Sequence, residues 1–230
     1  MIDRALAGLQ VRRFVPEVTP APAIVFSHGF GGSRLGYGYL GRYWAENGYV
    51  SIHPSHRDPP TVAEAMRDSQ VWRDRVADIA HVIDALPDFA DRARVGVAGH
   101  SLGAFTALLC AGARVDIDGA LHDFTDPRPR AFAALSPPGN GSRGLGERSW
   151  SAIERPVLYL TGTLDQGPYG EDYQWRLQPF ASLGSTDKTR LVIDGANHEA
   201  FAGGLPRQRA EPSHLRQIET ATLAFWRRTL

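Results

Sequence analysis

Residues 94–103, with the sequence RVGVAGHSLG, restrict the possible folds of this chain more than any other stretch. Residues 95–98 are a short apolar, β-branched run typical of a buried parallel strand. The Ala- and Leu-rich residues 102–113 favour a helix. Between them, residues 99–103 match G-x-S-x-G, whose glycines remove side chains that would collide where a strand turns sharply into a helix. The stretch predicts a strand, a strained turn that carries Ser101, and a helix.

Ser101 is a candidate nucleophile because of where this turn would place it. A serine on such a turn projects its hydroxyl past the end of the strand, and the following helix N-terminus directs backbone N–H groups towards the space beside it. The bare pattern G-x-S-x-G is weak, since glycine and serine are common. The strand before it and the helix after it favour a catalytic serine over a plain strand–turn–helix junction.

Apolar runs and helical segments alternate along the rest of the chain. Further strands are predicted at residues 9–15, 23–27, 49–53, 131–135, 157–161 and 191–194. Helices are predicted at residues 37–47, 61–86, 173–183 and 215–228, the last with Ser213 as its N-cap. This alternation predicts an α/β fold, a mainly parallel, doubly wound sheet with helices on both faces. With 230 residues and no repeat or interdomain linker, we expect one domain spanning residues 1–230.

The composition argues against several classes of function. Lys plus Arg equals Asp plus Glu at 25 each, so no net charge attracts nucleic acid or an anionic membrane. No apolar run is long enough to enter and cross a bilayer and no signal-peptide pattern opens the chain, so we expect a cytoplasmic protein, or a secreted one if a signal was removed. We expect no cofactor. We also expect no metal, because His53 and His56 have H-x-x-H spacing but no third ligand by motif.

A serine hydroxyl is a poor nucleophile at neutral pH, so it needs a histidine base and a third group that orients the base. In open α/β sheets the reacting groups follow the carboxyl ends of the strands. Asp165 comes just after the predicted strand at residues 157–161, and His198 just after the strand at residues 191–194. The order Ser101, Asp165, His198 is that of a catalytic triad on such a sheet. Asp172, in the same loop as Asp165, remains an alternative acid.

A tetrahedral acyl intermediate also needs hydrogen-bond donors for its oxyanion. The backbone N–H of Leu102, which follows the candidate nucleophile, is one predicted donor. The other is predicted in the segment HGFGG at residues 28–32, where Phe30 N–H is the expected donor. A tight turn without a catalytic role is the alternative for these glycines. The segment has neither G-x-G-x-x-G spacing nor a Walker lysine, which argues against phosphate binding.

With these residues identified, the chain resembles the α/β-hydrolase superfamily over nearly its whole length. Within it, the chain looks like the predicted dienelactone hydrolase-like and platelet-activating-factor-acetylhydrolase-like serine esterases. The similar segments are residues 27–33 for the oxyanion loop, 97–104 for the serine turn, 160–165 for the acid and 194–198 for the base. The resemblance implies ester hydrolysis through an acyl-serine intermediate. Dienelactone hydrolases themselves use a cysteine nucleophile, so Ser101 argues against that activity.

We therefore expect a serine carboxylesterase acting on a small-molecule ester. Only a short loop separates residue 135 from residue 157, so no large lid domain is expected, and an open cleft favours short to medium acyl chains. Aromatic side chains in segments that could wall the cleft are Phe30, Tyr37, Trp150, Trp175 and Phe201, with core packing as the alternative for each. Cutinase-like polyester hydrolysis, acyl transfer and an inactive binding module of the same fold are the alternative functions.

Overall fold

The computed structural model describes residues 2–6, 8–205 and 208–230. Its strands are β1 (Ile2–Leu6), β2 (Leu9–Phe14), β3 (Ala21–Ser27), β4 (Val50–Pro54), β5 (Ala90–His100), β6 (Val115–Ile117), β7 (Ala120–His122), β8 (Ala131–Leu135), β9 (Val157–Leu164), β10 (Lys188–Asn197), β11 (Gly204–Leu205) and β12 (Gln208–Arg209). Eight of them form one sheet of order β1-β2-β4-β3-β5-β8-β9-β10, and β6-β7 and β11-β12 are small separate pairs. From β4 to β10 the neighbours in the large sheet run parallel, while β2 is antiparallel to both β1 and β4.

Helices cover both faces of this sheet. They are α1 (Gly38–Glu46), α2 (Val62–Arg67), α3 (Ser69–Asp84), α4 (Leu102–Ala111), α5 (Tyr173–Ser182) and α6 (Pro212–Thr229). Because successive strand residues point to opposite faces, Val25 of β3 packs into the core under α3 and α4, whereas Ile24 and Phe26 pack into the core under α1 and α6. The predicted fold class, a mainly parallel doubly wound α/β sheet, is confirmed.

Two local predictions are wrong, and both concern helix starts. The helix predicted at residues 61–86 is interrupted at Asp68, whose backbone is extended and whose carboxylate accepts from the N–H of Gln70 at 2.8 Å to begin α3. The last helix begins at Pro212, with Glu211 as its N-cap, so Ser213 lies inside it. Proline is favoured in the first helical turn because its missing N–H would be unpaired there anyway.

The segment between β8 and β9 lies at the carboxyl ends of the central strands. Residues 136–156 contain one short 3₁₀ turn, at Glu147–Ser149, and no inserted lid domain. Among the helices that the structure describes, none is both long and apolar enough to cross a membrane.

Candidate active site

Ser101 lies on the sharp turn between β5 and α4, with φ 55° and ψ −116°. A non-glycine residue rarely adopts a positive φ, so the surroundings must hold it there. Its backbone N–H donates to the carbonyl of Leu135 at 3.0 Å. A Cβ on Gly99 would lie 2.1 Å from the carbonyl oxygen of Gly103, and one on Gly103 would lie 2.0 Å from that of Ser27. The backbone therefore approaches too closely for a side chain at either glycine of the motif.

His198 and Asp165 lie together at the ends of neighbouring strands. Asp165 directly follows β9 and is fully buried, and His198 directly follows β10 with its side chain 31% exposed. Nδ1 of His198 lies 3.0 Å from Oδ1 of Asp165, and the Thr161 hydroxyl donates to Oδ2 at 2.9 Å. Because a carboxylate only accepts, it favours the proton on Nδ1 and leaves Nε2 of His198 able to take a proton.

Ser101 and His198 line the same cleft, which has a volume of about 380 Å³. In the described part of the chain, no side chain is hydrogen-bonded to the Ser101 hydroxyl, and His198 makes its contacts through Nδ1. Serine–histidine hydrogen bonds of this kind are often long or poorly aligned until a substrate binds. The fold thus brings the predicted serine, histidine and aspartate to one end of the sheet, with Nε2 of His198 unengaged.

Two further side chains, which the sequence reasoning missed, surround Nδ1 of His198. The Ser136 hydroxyl lies 2.7 Å from Nδ1, and Nη2 of Arg176 lies 3.2 Å from it. Arg176 is buried, and its Nε lies 2.8 Å from Oδ1 of Asp165. The same guanidinium donates to four backbone carbonyls around the site, those of Ser136, Pro137, Asp165 and Gln166. Arg176 therefore ties the loop after β8 to the loop after β9.

The charge of Asp165 is maintained against its burial. Burial alone would raise its pKa, but the hydrogen bond from His198 and the nearby Arg176 charge outweigh it, so the pKa of Asp165 lies below its ordinary value. The pKa of Arg176 is lowered, since burial outweighs the opposing attraction of Asp165. The alternative acid, Asp172, is the N-cap of α5 and accepts from the N–H of Gln174 at 2.8 Å. Among the two candidates, Asp165 is the one in contact with His198.

The two N–H groups predicted as oxyanion donors, those of Phe30 and Leu102, have no acceptor among the described residues. Leu102 is the first residue of α4, where the N–H has no partner within the helix. Phe30 lies in the loop after β3 and lines the cleft. Both predicted donors are therefore unpaired, and their role as oxyanion donors stays a prediction.

The loop that carries Phe30 is held by an ion pair between the buried Arg75 and the partly buried Asp58, which sequence reasoning did not find. Nη1 of Arg75 donates to the carbonyl of His28 at 2.8 Å, and its Nε and Nη2 donate to Oδ1 of Asp58 at 3.0 and 2.6 Å. Oδ2 of Asp58 accepts from the N–H of Gly31 at 2.8 Å. These bonds fix the residues on both sides of Phe30. Burial and the Arg75 charge lower the pKa of His28 to about 3, so its ring is neutral.

A second chain of hydrogen bonds joins the loop after β3 to the backbone of His198. The N–H of Gly29 donates to the Tyr37 hydroxyl at 3.1 Å, and that hydroxyl lies 2.8 Å from Nδ1 of His100. Nε2 of His100 lies 3.1 Å from the carbonyl of His198. Because a carbonyl only accepts, the His100 proton is on Nε2, and Nδ1 accepts from Tyr37. His100, the residue before Ser101, thus links the loop after β3 to the backbone of His198.

Three of the five aromatic residues predicted to wall the cleft do so, namely Phe30, Tyr37 and Trp175. The expectation for Trp150 and Phe201 is wrong, because both are fully buried in the two cores of the protein. The cleft lining also includes residues that the sequence did not single out: Val62, Met66, Pro138, Arg143, Gln166, Pro168, Glu199 and Ala202. Of the two histidines considered as metal ligands, His53 contacts Ser51, whereas His56 contacts Ser27 and Asp78.

The family model described as "Alpha/beta hydrolase family" matches residues 24–226. The chain belongs to the alpha/beta hydrolase family. No curated protein matches it by sequence.

Solved structures share this fold at low sequence identity. A candidate dienelactone hydrolase from Klebsiella pneumoniae subsp. pneumoniae is 19% identical, with a TM-score of 0.70 and coverage of 95% of this chain and 92% of that one. The esterase Est2 from Thermogutta terrifontis, solved with propionate bound, is 18% identical, with a TM-score of 0.65 and coverage of 94% and 89%. Est1E from Butyrivibrio proteoclasticus, solved with ferulic acid bound, is 16% identical, with a TM-score of 0.68 and coverage of 100% and 99%.

Proposed function

We propose that this protein is a serine carboxylesterase that hydrolyses small-molecule esters through an acyl-serine intermediate. The observation that carries the proposal is that Ser101 lines one cleft with His198, whose Nδ1 is engaged by the buried carboxylate of Asp165. Membership of the alpha/beta hydrolase family supports hydrolytic chemistry. An esterase solved with propionate bound and Est1E solved with ferulic acid bound are among the structural neighbours, which supports an ester as the substrate.

The acylation step follows from the geometry of the cleft. Nε2 of His198 takes the proton of Ser101 as the serine oxygen attacks the ester carbonyl carbon, and Asp165 stabilises the imidazolium that forms. The N–H groups of Phe30 and Leu102 bind the oxyanion, and each such donor contributes about 3 kcal/mol of transition-state stabilisation. The imidazolium then gives its proton to the leaving alkoxide as the C–O bond breaks.

Deacylation repeats these steps with water. His198 takes a proton from a water molecule, the hydroxide oxygen attacks the acyl carbon, and the proton passes to the Ser101 oxygen as the acid leaves. A cleft of about 380 Å³ without a lid inserted between β8 and β9 suits esters with short to medium acyl chains.

Replacement of Ser101 tests the proposal directly. We expect Ser101→Ala to reduce turnover of p-nitrophenyl butyrate on the order of a million-fold, as losing the nucleophile of a serine triad does. A fluorophosphonate probe should label the wild-type protein at Ser101 and leave the variant unlabelled. Ser151→Ala, at an exposed serine, is the matched control and should retain both activity and labelling. Turnover by Ser101→Ala near the wild-type rate would refute the proposal.

A further inference from the structure

Arg143 brings a positive charge to the cleft that the proposed ester hydrolysis does not use. It lies in the loop between β8 and β9, and its side chain lines the cleft together with Ser101 and His198. Its backbone is in the left-handed region, with φ 52°. A non-glycine residue with positive φ is uncommon and is held by its surroundings, often at a binding or catalytic site.

The loop around Arg143 is fixed at both ends. The N–H of Gly141 donates to the carbonyl of Leu145 at 2.8 Å, and the carbonyl of Gly144 accepts from the N–H of Asp116 at 2.9 Å. A Cβ on Gly144 would lie 2.2 Å from the carbonyl oxygen of Asp116, so the loop is pressed closely against β6. The position from which the Arg143 side chain enters the cleft is therefore set by backbone contacts.

The guanidinium of Arg143 is only partly satisfied by the protein. Its Nη1 donates to the Ser142 hydroxyl at 3.0 Å, and its carbon lies 5.7 Å from the centre of the Phe105 ring. Its Nε is buried without a partner. Among the described residues, none accepts from its Nη2 and no carboxylate forms an ion pair with it.

The other two arginines near the cleft differ in this respect. Arg75 is paired with Asp58 and Arg176 with Asp165, so the charge of each of these arginines is balanced by a carboxylate of the protein. Glu199 also lines the cleft but makes no ion pair with Arg143. Burial and the nearby Arg176 charge lower the pKa of Arg143 to about 10, which leaves the guanidinium charged at neutral pH. A charge kept in such surroundings without an acid is unfavourable until an anion binds.

The unpaired atoms define the chemistry of that anion. Nε and Nη2 form one edge of a guanidinium, and the two N–H groups of that edge match the two oxygens of a carboxylate. A single guanidinium also balances a single negative charge, whereas a phosphate dianion would need further donors. We propose that Arg143 binds a carboxylate on the substrate, so that the preferred esters are those whose acyl or alcohol part bears a second, ionised carboxyl group. This inference rests on the proposed esterase function and specifies its substrate class.

Matched pairs of esters test the assignment, because each pair differs in one carboxylate. On the acyl side the pair is mono-p-nitrophenyl glutarate and p-nitrophenyl hexanoate; on the alcohol side it is para-acetoxybenzoate and para-acetoxybenzamide. The quantity measured is the ratio of kcat/KM for the charged ester to kcat/KM for the neutral one. We expect Arg143→Met to lower this ratio about 10- to 100-fold for at least one pair, since the variant loses a charge-assisted, bidentate interaction.

Two further variants separate charge from geometry and from folding. Arg148→Met removes the same charge from an exposed position of the same loop, outside the cleft, and should keep the wild-type ratio. Arg143→Lys keeps the charge but loses the two-donor edge, and should retain part of the ratio. If Arg143→Met does not fold, two other measurements replace it. The ratio should fall in Arg143→Lys, and in the wild-type protein it should fall when salt is added, because salt screens the charge of Arg143.

The outcomes distinguish this inference from the function on which it rests. A ratio that is the same in wild type and Arg143→Met for both pairs, with neutral esters still hydrolysed, overturns the carboxylate site and leaves the esterase in place. A wild-type protein that hydrolyses none of the four esters and is not labelled at Ser101 by a fluorophosphonate overturns the esterase itself. A fall in the ratio confined to Arg143 variants supports the inference.

Discussion

Nε of Arg176 lies 2.8 Å from Oδ1 of Asp165, and both side chains are almost completely removed from water. The same carboxylate oxygen lies 3.0 Å from Nδ1 of His198. A buried carboxylate with one cationic partner and one imidazole partner depends on both, because neither can be replaced by solvent. The orientation of His198 therefore depends on a residue of α5 that does not itself contact Ser101.

Removing Arg176 should destabilise the protein strongly. Arg176→Met leaves the carboxylate of Asp165 buried without its cation, and breaking a buried ion pair on one side costs about 3–5 kcal/mol of unfolding free energy. Urea denaturation monitored by circular dichroism measures this value. Arg148→Met, at an exposed site, is the control and should change stability by less than about 0.5 kcal/mol. Equal stability of the two variants would show that the ion pair carries no such energy.

The choice between Asp165 and Asp172 as the triad acid can be decided by one pair of variants. Asp165→Asn should lower kcat about 10⁴-fold, because an amide cannot hold the histidine tautomer that accepts the serine proton. Asp172→Asn should leave kcat near wild type and change stability by only a few tenths of a kcal/mol, because Asn caps a helix about as well as Asp. A larger loss of kcat in the Asp172 variant would assign the acid to Asp172 instead.

The arrangement of the predicted site could be anticipated because it depends on chain order and strand ends. Apolar runs located β3, β5, β9 and β10, and in a parallel sheet the residues that follow such strands meet at one edge. This is why Ser101, Asp165 and His198 could be predicted without knowledge of their side-chain contacts. The glycines around Ser101 could be interpreted for a similar reason, because they occur where backbone segments lie too close together for a side chain.

The buried arginines could not be anticipated in this way. From sequence alone, a charged residue in an amphipathic helix is expected to face the solvent. Arg75 of α3 and Arg176 of α5 instead point inwards, to loop carbonyls and carboxylates. Trp150 and Trp175 illustrate the same limit. Trp150 lies in the segment between β8 and β9 and Trp175 in α5, and only tertiary packing places Trp150 in the core and Trp175 in the cleft wall. Long-range partners, not local pattern, place these side chains.

The Arg75–Asp58 ion pair should affect catalysis because it positions the N–H of Phe30 in the loop at residues 28–32. Asp58→Asn weakens the bonds to Arg75 and to the N–H of Gly31, and we expect a loss in kcat of about 10-fold with a smaller change in KM, because an oxyanion donor acts mainly in the transition state. Steady-state kinetics on p-nitrophenyl butyrate separate the two constants.

The control for this prediction is Asp88→Asn, which makes the same change at an exposed loop position. It should leave both kcat and KM at their wild-type values. If Asp58→Asn raised KM and left kcat unchanged, the ion pair would act on substrate binding, and the assignment of the loop as an oxyanion-binding element would fail.

Four buried histidines should make the protein sensitive to mild acid. The pKa of His28 and that of His53 are lowered to about 3, and those of His56 and His100 lie below the ordinary histidine value, in each case chiefly through burial. In the unfolded chain a histidine takes up its proton near its ordinary pKa of about 6.5. Between these two values the unfolded state binds more protons than the native state, so stability falls as the pH falls.

His53 is the best residue for testing this effect because it lies away from the cleft. This residue of β4 packs between the rings of Phe14 and Phe26. Its Nε2 lies 2.8 Å from the Ser51 hydroxyl, and its Nδ1 is buried without a partner. We expect His53→Gln to reduce the slope of unfolding free energy against pH by about 1.4 kcal/mol per pH unit below pH 6, whatever its effect on stability at neutral pH. Urea denaturation at a series of pH values gives this slope. His81→Gln, at an exposed histidine, should keep the wild-type slope, and an unchanged slope in His53→Gln would mean that His53 is protonated in the native protein.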